Sequence, residues 1–128
     1  MPENETRTHI IRVGTVGVPV TDLDRALEFY LEKLGFEKRI DTPYGEDVRW
    51  VEVAPPGAAT TIALVRTRKG DPTGIDTQVR FTTEDAEADH ADLRAQGVDA
   101  DAEVMRYPVP MFVVRDPDGN RLRIVERD

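Results

Sequence analysis

The sequence holds few side chains of the kinds that carry out nucleophilic or metal chemistry. There is no cysteine, which excludes disulfides, thiolate zinc sites and cysteine nucleophiles. The histidines are His9, in the polar start of the chain, and His90, on the packed side of a predicted helix, where a structural role is the commoner one. Glu52 and Glu126 are candidate carboxylate donors, but no histidine–carboxylate or nucleophile–base pair supports acid–base or covalent catalysis.

Composition and charge narrow the classes of partner. A hydrophobic content of 39% with 33% charged residues favours a folded domain over a disordered chain. The formal net charge of −8 repels phosphate backbones and anionic lipids, so nucleic-acid and membrane partners are disfavoured. No apolar run approaches the roughly 20 residues of a membrane span. Residues 1–8 lack the apolar core of a secretory signal, so we expect a cytoplasmic protein with a flexible tail at 1–9.

Two strand–helix units of the same design organise the chain. Residues 13–36 begin as a valine-rich strand, pass a helix N-cap at Thr21-Asp22, and continue as a helix with one apolar stripe that stops at Gly35. Residues 78–98 repeat this order more weakly and stop at Gly97. The two glycines are 97 − 35 = 62 positions apart, about half of the 128-residue chain, which indicates an internal repeat.

The remaining elements predict an α+β fold in one domain. Module one covers 10–68, a linker rich in glycine and charge covers 69–76, and module two covers 77–128. A Pro-Asp-Gly turn is predicted between the last two strands. We predict helices over 22–34 and 85–96, and strands over 10–20, 36–40, 47–53, 60–67, 78–82, 101–106, 111–115 and 121–126.

Two motifs resemble the signatures of a known family. Val20 to Tyr30, followed by Leu34-Gly35-Phe36, resembles the opening signature of the vicinal oxygen chelate superfamily, which includes glyoxalase I, extradiol dioxygenases, and fosfomycin- and bleomycin-resistance proteins. Residues 112–126, with the turn at 116–120, resemble its closing signature. The resemblance covers nearly the whole chain from Val13. It implies two βαβββ modules forming a curved mixed sheet around a cleft, a homodimer and, in many members, a divalent metal in the cleft.

The resemblance also implies four metal-ligand positions, which in the family usually hold His, Glu, His or Gln, and Glu. Counted from the motifs, these positions are Thr15, Ala63, Gln78 and Arg123 here. A divalent ion needs about three or four suitable donors. A dication about 4 Å from a guanidinium is repelled by roughly 8 kcal/mol at an effective dielectric near 20. We therefore expect neither a metal nor another cofactor.

Strand alternation within the implied fold selects candidate ligand-binding residues. Binding pockets are mostly apolar with a few polar groups, and aromatic and methionine side chains suit their walls. Each candidate has a structural alternative: core or dimer packing for the tryptophan, gap filling for the methionines, and ion pairing with carboxylates such as Glu52 for the arginines. The candidates are Thr15, Trp50, Thr61, Gln78, Arg80, Met105, Tyr107, Met111 and Arg123.

Three functions follow from these residues, and whether the chain is an enzyme stays open. The first is a metal-free binding protein of the bleomycin-resistance kind, a homodimer that sequesters a small aromatic or anionic compound. The alternative is a glyoxalase-like lyase or dioxygenase-like enzyme with a displaced or non-standard metal site, or one using Gln78, Tyr107 or a carboxylate as its acid–base group. The third is a regulatory or interaction module with a vestigial cleft.

Overall fold

Two copies of one βαβββ arrangement make up the computed structural model, which describes residues 7–127. Residues 7–9, the described part of the predicted tail, are exposed and lie outside any helix or strand. No helix within 7–127 is long and apolar enough to cross a membrane. The first module contains β1 (Thr15–Val20), α1 (Leu23–Glu28) with a π-helical continuation (Phe29–Lys33), β2 (Glu37–Pro43), β3 (Arg49–Ala54) and β4 (Thr61–Arg66). The second contains β5 (Asp76–Thr83), α2 (Ala86–Ala95), β6 (Asp99–Ala100), β7 (Met111–Arg115) and β8 (Arg121–Glu126).

Each module forms its own four-stranded mixed sheet. The strand orders are β1-β4-β3-β2 and β5-β8-β7-β6. In each sheet the first strand runs parallel to the last, and the other neighbours are antiparallel. The α+β class and the βαβββ repeat are therefore confirmed. The curved mixed sheet implied by the resemblance is divided into two sheets within this chain, and β1 and β5 are edge strands.

The first helix begins as predicted but changes its geometry halfway. The Asp22 side chain caps it by accepting the Arg25 N–H at 3.1 Å. After Glu28 the turns widen, and the Leu34 N–H donates to the Phe29 carbonyl five residues earlier, at 3.2 Å. Gly35 then ends the helix with a φ of 75°, as its position predicts. The regular helix predicted over 22–34 is therefore wrong in its second half.

Other element boundaries also differ from the sequence predictions. The strand predicted over 101–106 is wrong, because β6 ends at Ala100 and the Asp101 carboxylate accepts the Val113 N–H at 3.2 Å. Beyond that point only a two-residue bridge joins Met105 to Met111. The first strand starts at Thr15 rather than residue 10, and β2 runs on to residue 43, three positions beyond its predicted end at residue 40. Strand β5 starts at residue 76, inside the predicted linker.

Apolar residues from both modules share one core. Alternate residues of β1, β3 and β4 face inward in the first module, as do those of β7 and β8 in the second. A row of aromatic rings joins the halves: the ring centres of Tyr30 and Phe36 are 6.1 Å apart, and those of Phe36 and Phe81 are 5.1 Å apart. The two modules therefore pack against each other through a shared core and are not connected by the linker alone.

A buried carboxylate adds a polar connection between the modules. Asp116 accepts the Tyr30 hydroxyl at 3.1 Å and the Asn120 side-chain amide at 2.9 Å, and the backbone N–H groups of Asp118 and Asn120 complete its shell. The same Asn120 amide donates to the Pro19 carbonyl at 2.7 Å. Burial, followed by the charge of Asp116, raises the pKa of Tyr30 far above its usual value. The hydroxyl thus stays protonated and remains a donor.

We predict that Tyr30→Phe lowers the free energy of unfolding by about 1–3 kcal/mol, because it removes one of the hydrogen-bond donors of the buried Asp116 carboxylate. The measurement is urea denaturation followed by circular dichroism. Tyr44→Phe is the matched control, since Tyr44 is exposed and the same change should stay within about 0.5 kcal/mol. Equal effects of the two substitutions would contradict the role of the Asp116 network.

Candidate functional site

A cavity of about 590 Å³ opens between the edge strands of the two sheets. This volume falls in the range of small-molecule pockets, about 300–1,000 Å³. One wall comes from β1, the start of β4 and the turn before it, and the other wall is β5. The lining residues are Val16, Pro55, Ala58, Thr60, Thr61, Ile62, Thr77, Gln78, Val79, Arg80, Phe81 and Thr82.

The chemistry of this lining is largely apolar with a few polar groups. Val16, Ile62, Val79 and Phe81 offer hydrocarbon and aromatic surface, while threonines and one glutamine offer hydroxyl and amide groups. Arg80 is the one ionisable residue among the twelve lining residues. A wall of this kind suits an apolar or aromatic compound with a small number of polar substituents.

A bulge in β5 sets the position of Gln78 at this cavity. Its φ of 62° lies in the left-handed region, which costs a residue with a Cβ about 1–2 kcal/mol. Pairing with β8 shifts here, since Asp76 lies opposite Arg121 and Arg80 opposite Arg123. The Asp76 carboxylate accepts the Gln78 N–H at 3.1 Å and so supports the bulge. The Gln78 side chain is thereby left exposed at the cavity wall.

The family's metal-ligand positions do not fit a divalent ion in this chain. Arg123 makes two hydrogen bonds to the two oxygens of Asp76, at 2.6 and 2.8 Å, so a cation is held firmly at one position. Thr15, Ala63 and Gln78 offer only a hydroxyl, a methyl and an amide group at the others. Within residues 7–127 no group of three or more His, Cys, Asp and Glu side chains is placed to hold a metal.

A second group of predicted residues meets on the first sheet through Glu52. The Trp50 indole N–H donates to one Glu52 oxygen at 2.6 Å, and the Thr61 hydroxyl donates to the other at 2.6 Å. The Thr15 hydroxyl donates to the Thr61 carbonyl at 3.3 Å. Glu52, expected as a partner for the arginines, is therefore bound to Trp50 and Thr61 instead. Trp50 also lines a separate open groove of about 900 Å³.

The structure brings together Thr61, Gln78 and Arg80 at the 590 Å³ cavity. The other predicted site residues are not among its lining. Met105 is 59% exposed and Tyr107 is 85% exposed, and Met111 pairs with Met105 through backbone hydrogen bonds of 2.8 Å. The predicted grouping of all the candidates in one cleft is thus not seen within a single chain.

Sequence reasoning missed two kinds of site residue. Lining residues such as Phe81 and Ala58 become visible only when the gap between the sheets is known. Asp76 falls within the predicted linker at 69–76, although it is the partner of Arg123. A signal for it existed, since an inward arginine requires a carboxylate, and the first residues of β5 lie beside β8 in a parallel pairing.

Comparisons with known proteins agree with this architecture. A family model described as Glyoxalase/Bleomycin resistance protein/Dioxygenase superfamily matches residues 12–124. The protein YetH of Bacillus subtilis (strain 168) is 33% identical over 114 residues, which cover 87% of this chain and 94% of YetH. The crystal structure of TnmS3, an antibiotic-binding protein from Streptomyces sp. CB03234, matches with a TM-score of 0.83 and 34% identity, over 94% of this chain and 99% of TnmS3. A superfamily member from Sphaerobacter thermophilus DSM 20745 matches with a TM-score of 0.85 and 33% identity, over 94% and 100% of the two chains.

We predict that Asp76→Asn destabilises the protein at pH 7 and that the difference from wild type narrows in acid. The hydrogen bonds from Arg123, then that from the Gln78 N–H, hold the pKa of Asp76 well below its usual 3.8. The ion pair therefore contributes its full stability above pH 3.8, and the contribution falls as the pH drops further, because the unfolded state then binds more protons.

Thermal unfolding between pH 7 and pH 2.5 measures this difference. Glu46→Gln, at an exposed carboxylate, is the control and should leave the melting temperature close to that of wild type throughout. A gap between Asp76→Asn and wild type that stays constant with pH would show that the ion pair does not stabilise the fold.

Proposed function

We infer that this chain, which belongs to the glyoxalase/bleomycin resistance protein/dioxygenase superfamily, is a metal-independent binding protein for a small, partly aromatic compound. The observation that carries the proposal is the donor set at the family's ligand positions. A hydroxyl, a methyl, an amide and an ion-paired guanidinium replace the usual imidazoles and carboxylates. A superfamily scaffold that keeps its fold but has these side chains is suited to binding rather than to metal-assisted turnover.

The cavity between the sheets supports the same proposal. Burial of a ligand's hydrocarbon and aromatic surface against the apolar wall contributes favourable free energy, and the Gln78 amide supplies a polar group that orients the ligand. Its lining holds no histidine, carboxylate or lysine that could act as a general base. TnmS3, which is 34% identical to this chain, is described as an antibiotic-binding protein, and a comparable ligand class is consistent with the wall.

We further propose that the protein works as a homodimer. Ile10, Ile11 and Val13, just before β1, are between 64% and 86% exposed. The nearby edge strand β1 has one hydrogen-bonded neighbour, and the same holds for β5. Exposed apolar side chains beside free strand edges are commonly covered by another protein surface. Sedimentation-velocity measurement of the molecular mass tests the dimer, and a 14.4 kDa particle at micromolar concentration would contradict it.

We predict that the purified protein contains a substoichiometric amount of transition metal and gains no lyase or dioxygenase turnover when zinc, nickel, manganese or iron is added. Elemental analysis by mass spectrometry measures the metal content. The physical reason is the repulsion between a dication and the Arg123 guanidinium, which Asp76 holds in place. A bound metal at one ion per chain would support the enzyme alternative and overturn the proposal.

We predict that the wild-type protein binds N-phenyl-1-naphthylamine, an uncharged aromatic probe, and that Ala58→Phe weakens this binding about tenfold or more. The added phenyl group would occupy the cavity that the probe needs. The enhancement of probe fluorescence gives the dissociation constants. Ala59→Phe is the matched control, because Ala59 is the next residue along the same turn but is exposed and not part of the lining. Equal binding by the two variants would place the ligand elsewhere.

A further inference from the structure

We propose that the cavity selects ligands with an anionic group, and that Arg80 binds that group directly. This inference rests on the proposed function, because it names the class of compound that the same cavity takes. The ligand class is an aromatic or hydrocarbon body that carries a carboxylate, sulfonate or phosphate substituent.

The position of Arg80 in the wall is the first support. Arg80 is the one ionisable residue among the twelve that line the cavity. Of these twelve side chains, it is therefore the one that can form a charge-assisted contact with a bound ligand. Its neighbours Val79 and Phe81 on β5, with Val16 and Ile62 opposite, form the apolar part of the same wall. Arg80 is exposed at this wall, so its contribution to binding an anion comes from charge-assisted hydrogen bonds rather than from burial.

The unused hydrogen-bonding capacity of Arg80 is the second support. Two other arginines of this sheet have carboxylate partners: Arg123 binds Asp76, and Arg115 binds Asp101 at 2.8 Å. Arg121, on β8, does not line the cavity. Arg80 donates one hydrogen bond, from Nη1 to the Gln78 carbonyl at 3.1 Å, and within residues 7–127 it has no carboxylate oxygen within 4.0 Å. A guanidinium has five N–H donors in a fork that matches a carboxylate or phosphate. Most of these donors are therefore left for a ligand.

The local charge balance is the third support. Arg80 lies opposite Arg123 in the parallel pairing of β5 with β8, and Asp76 provides one carboxylate for the two guanidinium groups. Because Asp76 offsets Arg123, the positive charge that lines the cavity on β5 is that of Arg80, in a chain whose net charge is −8. The acidic surface elsewhere discourages non-specific binding of anions, so an anionic ligand gains most at this wall.

The bulge at Gln78 explains how Arg80 is held in place. Because the left-handed residue turns its carbonyl toward the Arg80 guanidinium, one hydrogen bond orients the side chain without neutralising it. Because the Gln78 carbonyl is uncharged, it orients the Arg80 guanidinium without pairing its positive charge. Preorganisation of this kind reduces the entropy lost when a ligand binds.

The test compares two fluorescent probes that differ by one sulfonate: the anionic 1-anilinonaphthalene-8-sulfonate and the neutral N-phenyl-1-naphthylamine. We expect wild type to bind the sulfonate probe more tightly. Arg80→Gln should weaken sulfonate binding about tenfold or more, which is the order of one charge-assisted hydrogen-bonded contact, and change binding of the neutral probe less than about twofold. Arg80→Lys keeps the positive charge but loses the planar guanidinium and its paired N–H donors. It should weaken sulfonate binding by a factor between those of wild type and Arg80→Gln.

Arg121→Gln is the matched control. Arg121 lies on the neighbouring strand of the same sheet, is exposed and does not line the cavity, so its loss changes the net charge by the same amount without removing a wall contact. We expect its effect on either probe to be less than about twofold. A loss of sulfonate affinity as large as that in Arg80→Gln would show that only long-range charge acts, and would overturn the inference.

The two proposals fail in distinguishable ways. Binding of both probes by wild type, with a sulfonate preference unchanged in Arg80→Gln, overturns the assignment of Arg80 and leaves the binding function standing. Binding of neither probe overturns both. Sulfonate binding that survives in Ala58→Phe would place the anion outside the cavity and also overturn the inference.

Discussion

The buried carboxylate of Asp116 is the interaction on which the rest of the structure depends. It accepts hydrogen bonds from the Tyr30 hydroxyl, the Asn120 side-chain amide and two backbone N–H groups of its own turn. The Asn120 amide also donates to the Pro19 carbonyl. An unpaired charge at this depth would be strongly destabilising, so all partners must be in place together. Together with the shared apolar core, this network fixes the first helix and the end of β1 against the turn between β7 and β8, and so helps to set the relative position of the two sheets.

The ion pair on the second sheet connects the question of the metal with that of the ligand. Asp76 binds Arg123 through both oxygens and also accepts the Gln78 N–H. The same carboxylate therefore holds a cation at a family ligand position and supports the bulge that orients Arg80. In the function proposed above, this arrangement of charges suits the wall to binding an anionic group through Arg80 rather than to holding a metal ion.

Local chemistry explains which parts of this fold could be predicted from sequence. The Asp22 cap, the Gly35 stop and the strands on either side of the Asp116–Asn120 turn depend on neighbouring residues, so their signals lie within a few positions. The short strand β6 depends on its pairing with β7 farther along the chain, and the apolar spacing that predicts a helix over 22–34 does not distinguish the widened turns after Glu28 from regular ones. The cavity depends on how the modules pack, so only Thr61, Gln78 and Arg80 were found among its lining residues.

The left-handed backbone at residue 78 limits how this cavity can diversify during evolution. A β-branched side chain there would meet both the Cβ penalty of that conformation and a restricted rotamer set, so drift at this position favours asparagine, glycine or other unbranched residues. Thr61 is constrained by the hydrogen bond that its hydroxyl donates to Glu52. Positions 58, 80 and 82 carry neither constraint. Changes in ligand repertoire among close homologues should therefore accumulate at these three positions while the bulge persists.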